Sequence, residues 1–443
     1  MGKPVCLIPT RFRPAVASEF VLRLTGEPPS RVLKRAQYEA FAFTLYDGDV
    51  LFRNESHLNP TDHQYRVTIV DGRPGPAAAP GEAYGEFVVS LNLASIAFLR
   101  AIGVWPAIHA SRVSPYGGMT LWDEGGTGVT RFDSAEVGEP ALGCFVEAAL
   151  LEARLHEALA ECPGVTRLWG RRATGQRVAH DGAWLTLDDA ATINADLVIG
   201  ADGGRSAMRQ LADIGVQRFD YGQRAIVCNF ATECAHGAIA RQRFMQGGPV
   251  AMLPLADGRC SLAWFRPEAE AERLVELDDA AFTEALSQAT DYALGAVTAA
   301  TRRRAFPIVR RHAVRYVAER FALVGDAAHT IHPQAGQGLN LGLMDAAALA
   351  EVVGGGGDPG TERILRYYAR WRRGHNTAVM HAMDVFHRGF AQPVPVPGAL
   401  RGLGLAAADR AGPAKRLILR HGAGLAGDLP RSARPVGGYG IGP

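Results

Sequence analysis

Residues 321–345 read Phe-Ala-Leu-Val-Gly-Asp-Ala-Ala-His-Thr-Ile-His-Pro-Gln-Ala-Gly-Gln-Gly-Leu-Asn-Leu-Gly-Leu-Met-Asp, and no other stretch restricts what this chain can fold into as strongly. A short apolar run ends on Gly325-Asp326, and a loop follows with Pro333, Gly336 and Gly338. A helix is predicted from near Gly338 through Ala346 to Val353. Clustered glycines at a helix start let backbone N–H groups approach an anionic or strongly hydrogen-bonding ligand. No side chain stands in the way there, and the helix N-terminus carries partial positive charge. Asp326, at the carboxyl end of a strand, is suited to accept hydrogen bonds from the hydroxyls of a sugar or ribityl chain.

A second strand, turn and helix lies upstream. The apolar run Leu197 to Ile199 enters Gly200-Ala-Asp-Gly-Gly-Arg-Ser206, and Ser206 is a competent N-cap for the helix that follows. Taken alone such a connection is often only a tight turn, but it recurs here beside the 321–345 block. A third stretch, Arg66-Val-Thr-Ile-Val-Asp71, is a β-branched run closing on an acid and followed by Gly72-Arg73-Pro74. In dinucleotide-binding βαβ units the second strand ends in such a carboxylate, which hydrogen-bonds a ribose hydroxyl. An ordinary strand followed by a turn-forming Asp explains Asp71 equally well. The glycine fingerprint expected roughly 20 to 35 residues earlier has no counterpart, since residues 35–60 offer only Asp47-Gly48-Asp49.

The rest of the chain organises around these three. With 443 residues it is too long for one ordinary core. A 47% hydrophobic and 21% charged composition excludes disorder as the default, and 51 glycines suit an α/β protein with many close backbone approaches. A net charge of +2 gives no reason to expect nucleic acid as a partner. Six cysteines without a CxxC pair read as reduced thiols, with disulfides and metal not expected. No apolar run is long enough to span a bilayer, and the N-terminus does not read as a secretory signal, so a cytoplasmic location is expected.

Helices are predicted at Leu91 to Gly103 and at Val146 to Ala160, and a hairpin at Asp181-Gly182. Antiparallel strands are expected between residues 225 and 265, able to cover a cavity, and a charged helical stretch from Glu268 to Thr298. Residues 1–65 are hard to read, offering a helix around Ser30 to Phe43 and a strand at Asp49 to Phe52. The tail holds a basic amphipathic helix, Ile364 to Phe386, with Arg366, Arg370, Arg372 and Arg373. A second basic apolar stretch, Gly398 to Asp428, carries Arg401, Arg410, Lys415, Arg416 and Arg420. Such faces dock on anionic membranes or partners, or are solvated faces packed on their own domain.

With both glycine-rich blocks in hand, the chain resembles the FAD-dependent aromatic monooxygenases of the para-hydroxybenzoate hydroxylase fold, and most closely the hydroxylases of ubiquinone biosynthesis. The carrying residues are Asp202-Gly203 within Gly200 to Ser206, and Gly325-Asp326-Ala-Ala-His329 with Pro333, Gly336-Gln-Gly338, Asn340, Gly342 and Asp345. Supporting stretches are Tyr221-Gly222-Gln223, Gln242-Arg243-Phe244, Gly248-Pro249 and Lys415 to Arg431.

The resemblance implies an α/β protein whose FAD-binding Rossmann-like domain (66–220 and 305–360) is interleaved with a mixed or antiparallel substrate sheet (221–304). An atypical segment (1–65) precedes it and C-terminal helices (361–443) follow. It implies FAD, NAD(P)H as reductant, O2, and oxygen transfer to an electron-rich, prenylated ring through a flavin C4a-hydroperoxide. Peripheral contact with the inner membrane face, a homo-oligomer and a biosynthetic complex are partner states that it leaves open. The cofactor residues it implies are Asp71, Asp202, Gly203, Arg205, Gly325, Asp326, Ala328, Pro333, Gly336, Gly338, Leu339 and Asn340. No protein group is expected to act as nucleophile, and His329 and His332 are expected to serve as structural hydrogen-bonders. Three positions depart from the family: the missing N-terminal fingerprint, Glu86 to Val89 where relatives carry an arginine, and Ala148-Ala149 where an Asn-Arg pair is common. A flavin-poor paralogue serving as a structural partner, and an FAD hydroxylase of a soluble aromatic, are the alternatives.

Overall fold

The computed structural model describes residues 20–22, 41–43, 48–54, 65–75, 81, 84–333, 336–390 and 398–435. Two sheets set the architecture, and both follow from the strand patterns above. The first has six strands in the order Val165–Trp169, Tyr65–Asp71, Gly48–Asn54, Leu197–Gly200, Phe321–Leu323, Val317–Ala318. Its central runs, Leu197–Gly200 and Phe321–Leu323, are buried along their whole length, as an apolar strand covered on both faces must be. They pair in parallel, Val198 opposite Phe321 and Gly200 opposite Leu323.

Asp71, Asp202 and Asp326 all emerge at one end of this sheet. Tyr65–Asp71 and Leu197–Gly200 are both antiparallel to Gly48–Asn54, with Gly48 opposite Asp71 and Val50 opposite Ile199, so they run parallel to each other. Ligands of open α/β sheets bind at the carboxyl ends of such strands. The strand Gly48–Asn54 therefore presents its N-terminal end at this edge. Where a dinucleotide fold has a parallel strand feeding a glycine turn and a helix, this chain has a strand running the other way.

The second sheet has nine strands. Its main path runs His329–Thr330, Arg304–Ala313, Val216–Thr232, Cys260–Pro267, Val250–Pro254, Ile239–Phe244, Gly118–Asp123, Val129–Asp133, with Val297–Ala300 added on Val216–Thr232. Its pairings are antiparallel except Ile239–Phe244 with Gly118–Asp123, which is parallel. The alternation along Val216–Thr232 sends Ile226, Cys228 and Phe230 into a core with Leu262, Trp264, Phe282 and Leu286, under the helices Glu268–Glu276 and Asp279–Ala289. Ala225, Phe265 and Ile308 form a separate cluster on the other face.

Smaller elements largely match the sequence. The predicted hairpin is present, Ala173–Ala179 with Gly182–Leu187, extended by Thr192–Ala195. The helix expected from Leu91 begins at Leu93, because Leu91 and Asn92 still belong to a strand and the Asn92 side chain caps the first turn by accepting from Ser95 N–H. The helical stretch from Glu268 stops at Ala289 and resumes as the strand Val297–Ala300. Most of the helix expected at Ser30 to Phe43 lies outside the described residues, and its last three, Phe41–Phe43, form a strand paired with Phe20–Leu22. The strand expected at Asp49 to Phe52 is present as Gly48–Asn54.

Candidate functional site

The loop after Phe321–Leu323 is fixed from below by one buried carboxylate. Asp345 lies on the helix Gln337–Val353, two turns in, and is fully buried. One oxygen accepts from Gly325 N–H at 3.2 Å and pairs with His329 Nε2 at 2.5 Å. The other accepts from Arg372 Nε at 2.8 Å and Asn376 Nδ2 at 2.9 Å. Burial works against its charge, but His329 and Arg372 outweigh burial and hold the carboxyl at about 2. Tyr316 stacks on His329 with ring centroids 5.8 Å apart, and Tyr368 donates to the Leu323 carbonyl at 2.8 Å. The structure thus ties the strand end, the loop and the helix Glu362–Phe390 to one point, and gives His329 the structural role expected of it.

Arg372 is the clear correction to the sequence reading. The tail helix looks like a uniformly basic surface, yet Arg372 is 1% exposed and serves as counter-charge to Asp345, whereas Arg366 is exposed and pairs with Glu362. Lys415 is likewise buried, bound to Glu136 at 2.9 Å and Asp409 at 3.3 Å. Helical spacing alone does not tell which arginine of a run turns inward.

Above this anchor the loop is shaped for close approach. Gly325 and Gly336 both have left-handed backbone, φ 56° and 60°. Gly336 is the N-cap of the helix Gln337–Val353, and no side chain caps it, so the first N–H groups of that helix are not taken by a cap. A Cβ on Gly336 would sit 2.8 Å from Ser90 Cβ, whereas one on Gly338 would meet only Ile331 Cγ1 at 3.9 Å. Asn340 holds the helix start in place: its Nδ2 donates to the carbonyls of Ser90 and Gly336, both at 2.9 Å, and its Oδ1 accepts from Asn92 N–H at 3.0 Å and Ser95 Oγ at 2.6 Å. Its side chain is therefore committed to the protein, leaving only its backbone for a ligand. Ser90, Asn92 and Ser95 were not singled out in the sequence because nothing local marks them.

Asp326 and Asp202 face the same edge. Asp326 is half-buried, and burial pushes its carboxyl up to about 6, with His329 and Arg311 pulling it back. Asp202 is buried and likewise pushed up to about 6 by burial. One of its oxygens accepts from Met208 N–H at 2.9 Å; the other has no partner among the described residues. Ser206 caps the short helix Ala207–Leu211 as expected, its Oγ accepting from Arg209 N–H at 2.8 Å. Gly203 has φ 73°. Gly204 lies so close to Thr330 and Arg311 that a Cβ would come within 2.8 Å of Thr330 Oγ1 and 3.3 Å of Arg311 Nη1.

Arginines gather beside this turn. Arg218 and Arg311 are directly opposed on neighbouring strands, and the proton affinities of Arg205 and Arg311 are lowered first by burial and then by Arg218, with Arg205 adding to the effect on Arg311. Arg218 is also paired with Asp220 at 2.8 Å, and like charges placed opposite one another across a sheet are destabilising.

A flavin dinucleotide fits half of this arrangement. The uncapped helix start, the left-handed glycines, the half-buried Asp326 and the unsatisfied Asp202 oxygen suit a ligand with a flat ring and a hydroxylated chain. Asp71 is placed differently: it closes its strand as expected and is fully buried, but both its oxygens accept from Arg73, at 2.7 to 3.2 Å, and Arg73 continues to Glu152. The opposed strand Gly48–Asn54 occupies the neighbouring slot.

The wall opposite the loop is aromatic. His332, next to Pro333, is buried edge-on to Tyr221 at 4.8 Å and tilted on Phe265 at 5.2 Å, its Nε2 3.5 Å from Gln223 Oε1. Tyr221 OH donates to Asp384 on the long tail helix, and Arg310 pairs with the same carboxylate.

The pH range of the two raised aspartates gives a test. Asp326 is a full acceptor above about pH 6 and loses that capacity as it protonates below. Bound flavin, followed by its fluorescence on release, is expected to dissociate increasingly as pH falls through 6. Asp326→Asn should weaken retention at pH 8 by roughly tenfold, the scale of one lost charged hydrogen bond, and flatten the pH dependence to the share of Asp202. An unchanged profile in the variant would remove Asp326 from the site.

Known proteins of similar sequence and fold place the chain in a family. Residues 88–383, more than half of the chain, match the family model described as an FAD binding domain. The chain is 37% identical over 377 residues to 3-demethoxyubiquinol 3-hydroxylase of Escherichia coli (strain K12), covering 83% of this chain and 95% of that protein. It is 35% identical to the ubiquinone hydroxylase UbiL of Rhodospirillum rubrum, covering 84% and 87%. Among solved structures it is similar to P. aeruginosa PqsL in complex with 2-aminobenzoylacetate, with a TM-score of 0.63, 24% identity and coverage of 80% and 93%, a likeness of fold. The chain belongs to the family of FAD-dependent aromatic monooxygenases that share the para-hydroxybenzoate hydroxylase fold.

Proposed function

We propose that this chain hydroxylates a phenol ring bearing a prenyl tail, with FAD, NAD(P)H and O2, at the cytoplasmic face of the inner membrane. The observation that carries the reading is its identity of 35–37% to the two ubiquinone-pathway hydroxylases, over more than four fifths of this chain in each case. Bound flavin supplies the activation of O2. The protein supplies the rest: Asp326, Asp202 and the backbone from Gly336 to Asn340 hold the cofactor, together with Gly203, Gly325, Ala328 and Leu339. Pro333 and His332 form the wall toward the ring, and the half-buried Tyr221 with the buried Phe265 keeps water from it. Arg205, Arg218 and Arg311 receive the phosphates of the nicotinamide reductant beside the Asp202-Gly203 turn.

The deciding measurement is NAD(P)H oxidation with and without a short-chain prenylphenol, with the hydroxylated product quantified. Stimulation by the phenol and near-equal amounts of NAD(P)H consumed and product formed are expected. No stimulation by any phenol would overturn the reading. Arg218→Gln with Arg311→Gln should raise KM for NAD(P)H roughly tenfold, the value of about one charge-assisted contact, and leave kcat nearly unchanged. A second reading, a flavin-poor, non-catalytic paralogue acting as a structural partner in a biosynthetic complex, is favoured by the arrangement at Asp71, which is engaged by Arg73 beside a strand that runs antiparallel. A flavin-to-protein ratio near one in the purified chain removes that reading, and a ratio near zero establishes it.

A further inference from the structure

We propose that the two tail helices, Gly398–Arg410 and Gly412–Gly422, form a docking face for an anionic lipid bilayer. Among the described residues, every exposed Leu or Ile with a large accessible side chain lies here: Leu403 is 65%, Leu417 56% and Ile418 64% exposed. Single exposed apolar residues are ordinary. Three on consecutive helices, interleaved with arginines, are a surface with a consequence.

The orientation of the second helix is fixed by its inner face. Lys415 and Leu419, one turn apart, both point into the protein, Lys415 to Glu136 and Asp409, and Leu419 into a cluster with Tyr116, Leu142 and Phe145. Leu417 is therefore turned away from the protein, with Arg420 and His421 beside it and Ile418 and Arg416 on the flanks. The first helix is anchored the same way: Leu405 is buried, its carbonyl accepts from Thr130 Oγ1 at 2.8 Å, and Gly402 lies against the backbone of Gly126 to Gly128. The pair thus covers Val129–Asp133, the last strand of the nine-stranded sheet, and points its apolar residues outward.

Charge selects the occupant. Asp409 is the one acid between residues 398 and 422, and it is engaged by Lys415 and by Arg131 N–H, which donates to it at 2.8 Å. Arg410, Arg416 and Arg420 are exposed and face no acid of their own helices. An apolar centre with an uncompensated basic rim matches the boundary between acyl chains and acidic headgroups. No single helix among the described residues is long and apolar enough to cross a membrane, so the contact is peripheral. The biological sense of the contact rests on the prenylated-substrate reading, since it brings the substrate sheet to the phase where such a tail resides, but the binding itself does not.

The test is flotation of the full-length protein with phosphatidylcholine vesicles, pure or containing roughly one third phosphatidylglycerol. The wild type is expected to float with the acidic vesicles, to float poorly with neutral ones, and to be released by high salt. Arg416→Gln with Arg420→Gln should reduce partitioning roughly 25-fold, since one basic residue near such a surface is worth about a factor of five, and Leu417→Gln with Ile418→Gln should separately reduce it at least about tenfold through lost apolar burial. These positions are exposed, so circular dichroism and turnover of a soluble short-chain phenol should match the wild type. Equal flotation of wild type and variants, no flotation at all, or a concentration-dependent dimer abolished by the same substitutions would overturn the proposal, the last assigning the face to a second copy. Loss of flotation with turnover intact separates this proposal from the catalytic reading, which fails only if phenol-stimulated oxidation is missing.

Discussion

Replacing Asp345 with Ala is expected to destabilise the protein by about 3–5 kcal/mol, the cost of stranding buried charges, and to abolish flavin retention in whatever remains folded. Removal of the carboxylate leaves Arg372, 1% exposed, without its counter-charge, and deprives Gly325 N–H, His329 and Asn376 of their common acceptor. Equilibrium denaturation in urea measures the first effect and flavin fluorescence the second. Asp345→Asn keeps the volume and part of the hydrogen bonding, so it should fall between wild type and Ala. The pH dependence has a definite sign. The Asp345 carboxyl is held at about 2, below its unfolded value, so its contribution is fully present above the ordinary carboxylate range and is lost as pH falls toward 2. Wild-type stability should therefore decline on acidification in a way that Asp345→Asn does not. A variant as stable as wild type at neutral pH would show that the network is not the anchor described.

Gly336→Ala should lower flavin affinity about 10- to 100-fold while leaving a folded protein. The substitution places a side chain on a residue with φ 60°, which costs about 1–2 kcal/mol, and drives its Cβ to 2.8 Å from Ser90 Cβ. Relief requires the helix start to move away from the strand Val88–Asn92, which displaces the N–H groups proposed to hold the cofactor. Gly338→Ala separates strain within the protein from contact with the ligand, because within the protein its Cβ would meet only Ile331 at 3.9 Å and its φ carries no left-handed penalty. If Gly338→Ala also weakens flavin binding without loss of stability, the ligand itself approaches that position. Isothermal titration of flavin-stripped protein reads both effects. Equal affinities of Gly336→Ala and wild type would show that the loop tolerates the shift.

Much of the cofactor side was legible in sequence because it is local. Strand, glycine turn and helix are contiguous in 321–345 and again in 197–211, and each is specified by residues within a few positions of one another. The left-handed Gly203, Gly325 and Gly336 fall where only glycine is unstrained, so sequence and conformation coincide. Arg372 was not legible, because the four arginines between Ile364 and Phe386 look alike until a partner helix chooses among them. Ser90, Asn92 and Ser95 acquire their importance from Asn340, some 250 positions away. The outward arginines of the tail and the inward Lys415 likewise differ only in what packs against them.

By itself, then, the sequence determined the two glycine-turn units, the aspartates at their strand ends and the family they belong to, since backbone conformation and local hydrogen bonding depend on near neighbours. The tertiary structure alone decided that Asp345 collects the loop and the tail helix, and that Arg218 and Arg311 oppose each other across strands. It also decided that Asp71 is held by Arg73 beside a strand running the opposite way. Strand direction and charge partnership are relations between distant segments, and only the packing of those segments can fix them.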